Sequence, residues 1–159
     1  MFGRMGVMGG SRSKAFSLIE LVVVVVIIGI IAAIAIPRMS RGATGAAENS
    51  LAANLSVLRN AVELYYQEQG RFPEAATFVE EMTQYTDGQG NTSATRTGAF
   101  VYGPYLRAIP PMPVGENRGA SGVAAAAGSG VAWIYNETTG RITPNASGND
   151  SRGNPYSGY

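Results

Sequence analysis

The longest apolar run in the chain extends from Phe16 to Ile36 and contains a single charged residue, Glu20. An α-helix rises about 1.5 Å per residue, so a helix of this length measures about 30 Å, the thickness of the hydrocarbon core of a bilayer. No other segment of the sequence is apolar over such a length. The pattern therefore predicts one transmembrane helix over 16–36, preceded by a short leader, 1–15.

A second helical pattern follows the apolar run. Large apolar side chains recur there every four and three residues, which places them on one face of an amphipathic helix. This leucine stripe consists of Leu51, Leu55, Leu58, Val62 and Tyr65. Gly70 and Pro73 indicate that the helix ends near residue 70. We therefore expect residues 37–69 to continue the membrane helix, and a small head domain, 70–159, to fold on the stripe.

Two residues weaken the predicted long helix. Pro37 has no backbone N–H, so the carbonyl of Ala33 loses its helical hydrogen bond. Gly29 lies within the membrane segment, and glycine favours the helix less than most residues do. The helix is expected to be interrupted at Gly29 and Pro37, with a kink where it leaves the membrane.

The head sequence predicts one β-hairpin. Residues 131–135, VAWIY, have the β-branched and aromatic content of a strand; residues 136–140 form a turn and residues 141–143 return. We expect this hairpin to pack on the leucine stripe, and a short helix to lie near 75–82.

The remaining head segments lack a core pattern. Residues 86–98 are polar and predict an exposed loop, and the Gly/Ala-rich residues 115–130 predict a loop without order. The tail from Ala146 is mostly Gly, Asn, Ser and Tyr. The fold class is therefore α+β, with a long N-terminal helix packed on a small antiparallel sheet and a loop-rich C-terminal region.

The composition argues against several functions. The chain of 159 residues has no Cys and no His, which excludes disulfides, thiolate and imidazole metal sites and the commonest general base. Its net charge of +1 is too small to indicate nucleic acid as the main partner. Glu80 and Glu81 form a lone acidic pair, which is more often a solvated face than an acid–base pair. We therefore expect that the protein is not an enzyme.

Basic residues are more numerous before the apolar run than after it, which favours a cytoplasmic N-terminus. The cations that precede the run are Arg4, Arg12 and Lys14, and those that follow it are Arg38 and Arg41. A single-span anchor that presents a binding domain is an alternative with the same pattern. Such an anchor has no reason to place Glu20 inside the apolar run.

The start of the apolar run carries a more specific signal. The residues from Lys14 to Leu21, KAFSLIEL, resemble the processing signal of type IV pilins and type II secretion pseudopilins. The resemblance implies that a prepilin peptidase cuts between Ala15 and Phe16 and that the new amine of Phe16 is methylated. Ala15 stands where this family usually has glycine.

Glu20 requires a role within the bilayer, because a carboxylate at the centre of a membrane helix costs about 2.5–3.5 kcal/mol, and less near the end. Either its side chain reaches the headgroups, or it has a cationic partner inside the membrane. The resemblance implies the second case, in which Glu20 pairs with the Phe16 amine of a neighbouring subunit and sets the register of a growing filament.

Two head segments also resemble pseudopilins, namely Gly70-Arg71-Phe72-Pro73 after the long helix and residues 103–110 before the sheet. The turn at 70–73 and the predicted hairpin at 133–144 favour a subunit of a type II secretion pseudopilus, which drives protein export, over a type IV pilin for adhesion, motility or DNA uptake. The implied partners are further copies of the chain, minor pseudopilins, the prepilin peptidase, the inner-membrane assembly platform and lipid. The implied location is the bacterial inner membrane, crossed once with the head in the periplasm, and later a periplasmic or extracellular filament.

Calcium is the one cofactor that the resemblance raises, since major pseudopilins bind it through oxygen ligands in a C-terminal loop. Four residues offer side-chain oxygens in that part of the chain: Asn145, Asn149, Asp150 and Asn154. A single carboxylate is few for Ca²⁺, which takes about six to eight oxygen ligands. We expect no cofactor, with calcium as the remaining alternative.

Overall fold

The computed structural model describes the backbone of residues 16–159 and the side chains of these residues except 36–41. The predicted leader, 1–15, lies outside the described residues. The chain divides into two compact units, Met1–Arg41 and Gly42–Tyr159.

The first helix, α1, is Leu18–Gln69. Its first part, Leu18–Ala35, has a mean hydropathy of 3.2, and none of this stretch is buried. Among the described residues it is the one helix long and apolar enough to cross a membrane. The backbone is helical at both Gly29 and Pro37. Because the side chain of Pro37 is not described, the kink there stays a prediction.

In the second unit, α1 buries the leucine stripe as its spacing predicts, and the five side chains of the stripe are at most 3% exposed. The helix ends at Gln69 because Gly70 adopts a left-handed backbone with φ of 69°. The N–H of Gly70 donates to the carbonyl of Tyr66 at 2.8 Å, which satisfies one of the last carbonyls of the helix.

Eight elements make up the described chain. The helix α2 is Phe78–Thr83, and a short hairpin joins β1, Tyr85–Thr86, to β2, Thr92–Ser93. A three-stranded sheet has the order β3-β4-β5, and a 3-10 turn lies near the end of the chain. These later elements are β3, Gly122–Ala124, β4, Val131–Asn136, β5, Arg141–Pro144, and the turn Tyr156–Gly158.

The hairpin β4–β5 forms as predicted, with Trp133 opposite Pro144 and Tyr135 opposite Ile142. Its turn is fixed by the side-chain oxygen of Asn136, which accepts the N–H groups of Thr138 and Thr139, both at 3.0 Å. Trp133, Tyr135 and Ile142 are fully buried in one cluster with the leucine stripe and with Phe78 and Met82 of α2.

The prediction of a loop without order over 115–130 was wrong, because this segment contains β3. The sheet is consequently mixed rather than antiparallel, since β3 runs parallel to β4. At Gly122 a β-carbon would lie 2.4 Å from the carbonyl oxygen of Gly130, so only glycine allows the two backbones to approach so closely. A strand this short, with few large side chains, forms because it pairs with β4 and not because of its own sequence pattern.

The other segments without a core pattern are also ordered by contacts. The segment 86–98 contains β2 rather than an exposed loop alone. The tail from Ala146 contributes Ala146 and Tyr156 to the core, although its composition suggested no such role. The helix α2 begins at Phe78 rather than at residue 75, and the N–H of Ala75 donates to the carboxylate of Glu137 at 2.8 Å.

Candidate functional site

The start of α1 holds the residues for which the sequence predicts processing and assembly. Ala15, on the leader side of the predicted cut, lies outside the described residues. Phe16 is 77% exposed, and Glu20 lies in the first turn of α1 with its side chain exposed. Within the described chain, Glu20 forms no hydrogen bond or ion pair with another side chain. The position favours a carboxylate, because the helix N-terminus carries a partial positive charge.

The surface that follows is apolar on all sides. The helix has no polar face between Leu21 and Ile34, and its large side chains are 43–60% exposed. Burying one such side chain is worth about 1.5–3 kcal/mol, so water is an unfavourable environment for this helix. A β-carbon at Gly29 would contact nothing within 4 Å, so this glycine lies on an open surface. The geometry suits lipid or the helices of other subunits.

The prediction of a solvated pair at Glu80 and Glu81 missed a buried polar cluster around Glu81. Glu80 is exposed, but Glu81 is only 1% exposed. The Glu81 carboxylate accepts hydrogen bonds from four groups, namely the hydroxyls of Tyr65 and Thr77, the guanidinium of Arg71 and the N–H of Glu74. The helical spacing was the signal that could have predicted this burial, because Glu81 shares a helix face with the apolar residues Phe78 and Met82.

The Glu81 cluster is structural rather than catalytic. The Arg71 guanidinium lies 3.0 Å from Glu81 Oε2 and 5.5 Å from the centre of the Tyr65 ring. Burial and the hydrogen bond to Glu81 raise the pKa of Tyr65 well above its ordinary value, so the hydroxyl stays protonated. Each oxygen of the Glu81 carboxylate accepts two hydrogen bonds. The cluster joins the end of α1, the turn at 70–73 and α2.

The candidate calcium ligands near the C-terminal end have separate hydrogen-bond partners. The amide of Asn145 donates to the carbonyl of Val131 at 2.8 Å. Asn149 is exposed. Asp150 and Asn154 do meet, but as acceptor and donor of hydrogen bonds. Among the described residues, no group of three or more Asp or Glu side chains is placed to hold a metal ion.

Asp150 is buried, at 8% exposure. Burial opposes its ionisation, but hydrogen bonds from Asn154, Tyr159 and the N–H of Arg152 outweigh that effect and lower the pKa to about 2. The carboxylate is therefore ionised at neutral pH and accepts hydrogen bonds on both oxygens.

One family matches the chain, described as the prokaryotic N-terminal methylation motif, and it matches residues 10–36. No curated protein and no solved structure matches. The matched residues include the predicted cut, Glu20 and the apolar part of α1. Processing by a prepilin peptidase and pilus-type assembly follow from this motif. The motif and the exposed apolar helix together support a type IV pilin-like structural subunit.

Proposed function

We propose that the protein is a subunit of a type II secretion pseudopilus, which polymerises through its N-terminal helix to drive protein export. The observation that carries the proposal is an apolar helix with no buried surface, headed by the methylation motif and followed by a compact unit with its own core. Such a helix is stable in a bilayer, and equally in a filament where the helices of other subunits replace lipid.

The turn at 70–73 supports the pseudopilus over the pilus. Phe72 stacks on Tyr66 with ring centres 4.4 Å apart, and Gly140 of the β4–β5 turn packs on the Phe72 ring. The turn that resembles pseudopilins thus links α1 to the predicted hairpin. The chain also has no Cys, so a disulfide in the C-terminal part, common in pilin heads, is not available.

In this proposal the leader is removed between Ala15 and Phe16, and the methylated Phe16 amine pairs with Glu20 of the adjacent subunit. In a medium of low dielectric an opposite charge at contact distance is strongly attractive, and an unpaired Glu20 is costly. The pairing therefore favours one axial position for each incoming subunit. Its partners are further copies, minor pseudopilins, the prepilin peptidase and the inner-membrane assembly platform, with the head in the periplasm before assembly.

The test is deletion of the gene in the source organism, followed by complementation with the wild-type gene. We expect culture supernatants to lose their secreted enzymes, while surface pili and surface motility remain. Complementation should restore secretion. Loss of surface pili and motility with normal secretion would show instead that the protein is a type IV pilin. Normal secretion and normal pili would exclude both functions.

A further inference from the structure

The C-terminal segment 146–159 is held in place by the hydrogen bonds of one buried carboxylate. Asp150 Oδ1 accepts the N–H groups of Arg152 and Asn154 at 2.9 and 2.7 Å. Asp150 Oδ2 accepts the side-chain amide of Asn154 at 3.1 Å and the hydroxyl of Tyr159 at 2.8 Å. A carboxylate has about four lone-pair positions, so these four donors occupy it fully.

The same five-residue loop occurs twice in the chain. Asp87-Gly88-Gln89-Gly90-Asn91 and Asp150-Ser151-Arg152-Gly153-Asn154 share the pattern D-x-x-G-N. In both loops the first carboxylate accepts the N–H groups two and four residues later and the side-chain amide of the asparagine. Both glycines have positive φ, 94° and 88°. The loop is therefore a turn stabilised by hydrogen bonds within its own five residues, and the chain forms it at two separate positions.

Two glutamates fasten the segment on either side of Asp150. Glu48 of α1 accepts the N–H and the hydroxyl of Ser151 at 2.7 and 2.6 Å. Glu116 accepts the hydroxyl of Ser147 at 2.6 Å and its N–H at 3.2 Å. Each carboxylate therefore faces donors of the chain itself.

These residues do not fit a calcium site. Ca²⁺ needs about six to eight converging oxygen atoms, whereas N–H and O–H groups point at each carboxylate oxygen of Asp150. The NH₂ group of Asn145 donates to the carbonyl of Val131, and Asn154 turns its NH₂ group rather than its oxygen toward Asp150. A cation at Asp150 would have to displace four donors, two of them backbone N–H groups of the loop itself.

We propose that the C-terminal segment is a hydrogen-bonded clasp, centred on Asp150 and fastened by Glu48 and Glu116, and that it closes without calcium. The clasp replaces the bound ion that major pseudopilins use and the disulfide that a chain without Cys cannot form. This inference concerns the head alone and does not depend on which filament the protein forms.

The first test measures the thermal unfolding of the full chain in detergent by the fluorescence of Trp133, the single, buried tryptophan. Samples contain either CaCl₂ or EGTA. A calcium site filled at about one hundred times its Kd would raise the Tm by roughly 5–10 °C. We expect the same Tm in both samples. A rise in Tm with CaCl₂ that Asp150→Asn abolishes would overturn the proposal.

The second test uses Asp150→Asn, which places an NH₂ group opposite the donors of Asn154 and Tyr159. We expect the Tm to fall by about 5 °C and trypsin to cleave faster after Arg152, equally in CaCl₂ and EGTA. The matched control is Asp87→Asn, the same change in the same loop type, which should leave cleavage after Arg152 unchanged. Wild-type Tm and cleavage in Asp150→Asn would refute the clasp.

Tyr159→Phe provides a milder variant in case Asp150→Asn does not fold. It removes one of the four donors and leaves the loop itself intact. We expect faster cleavage after Arg152 with a smaller fall in Tm, again independent of calcium. Unchanged cleavage in Tyr159→Phe would contradict the role of Asp150 in holding the end of the segment.

Discussion

Glu81 shows how one carboxylate orders several segments at once. Its four donors come from α1, from the turn that follows it and from the start of α2. A buried carboxylate with this many donors is stable where it lies, but a neutral group of the same shape cannot satisfy them all. The side chain thus connects three segments of the head through its hydrogen bonds.

We predict that Glu81→Gln lowers the free energy of unfolding by about 2 kcal/mol, because the amide presents an NH₂ group to donors of the cluster. The measurement is urea unfolding followed by Trp133 fluorescence. Glu80→Gln, one residue earlier on an exposed position, is the control and should change stability little. Equal effects in the two variants would show that burial of Glu81 does not matter.

Glu20 belongs to the residue scale as well, and the role that we propose for it is in assembly. We predict that Glu20→Leu leaves membrane insertion and head folding intact, since it removes a charge from an apolar helix and is not part of the buried core. Filaments should be absent or sparse while processed monomer accumulates in the membrane. Cleavage, membrane content and sheared filaments are measured separately, with Val24→Leu as the control. Normal filament yield would leave the headgroup interpretation of Glu20 standing.

At the scale of elements, α1 presents two different faces in the second unit. Leu58 is fully buried, whereas Leu64, on the same helix, is 47% exposed. The same substitution at these two positions therefore separates the effect of burial on stability from the effects of helix propensity and charge.

We predict that Leu58→Asp destabilises the head by several kcal/mol, because it places an unpaired charge in the core. The head should become sensitive to protease while the protein remains in the membrane. Leu64→Asp should retain the protease resistance of the wild type. Resistance of Leu58→Asp equal to that of Leu64→Asp would place the stripe on the surface.

The contact between Glu116 and Ser147 predicts a dependence on pH. The hydroxyl of Ser147 donates to Glu116 and is the main reason that the pKa of Glu116 lies below its ordinary value of 4.5. A lowered pKa in the folded state means that the stabilisation is present above pH 4.5 and is lost as the pH falls further. The free energy of unfolding should therefore fall less steeply below pH 4.5 in Glu116→Gln than in the wild type. Glu80→Gln is the control, and identical slopes in all three proteins would contradict the prediction.

At the scale of the whole molecule, the two units differ in how far their apolar side chains are exposed to solvent. The first unit exposes the apolar side chains of Leu18–Ala35, whereas the second buries most of its large apolar side chains in one core. Exposed apolar side chains of this kind are more stable in a membrane, or against other apolar helices, than in water.

We predict that protein extracted from membranes begins at Phe16 and carries a methylated amine. Intact-mass and N-terminal peptide mass spectrometry check this directly. A strain without its prepilin peptidase is the control and should retain Met1. Assembled filaments that still contain Met1 would disprove processing at this site.

The hydrophobic pattern alone predicted the membrane segment, the leucine stripe, the end of α1 near Gly70 and the β4–β5 hairpin. These features depend on local periodicity and on glycine backbone preferences, which can be read from neighbouring positions in the sequence. The motif around Phe16 and Glu20 is equally local, which is why the sequence predicted processing and assembly before any fold was known.

The tertiary structure alone decided the strand β3, the hydrogen-bond partners of Glu81 and the order of residues 146–159. In each case the stabilising partner is distant in sequence or the segment is too short to show a period: β3 pairs with β4, Glu81 meets Arg71 and Tyr65, and Ser151 is held by Glu48. Hydrogen bonds between remote polar groups leave no hydrophobic pattern, so only the folded chain reveals which groups satisfy a buried polar residue.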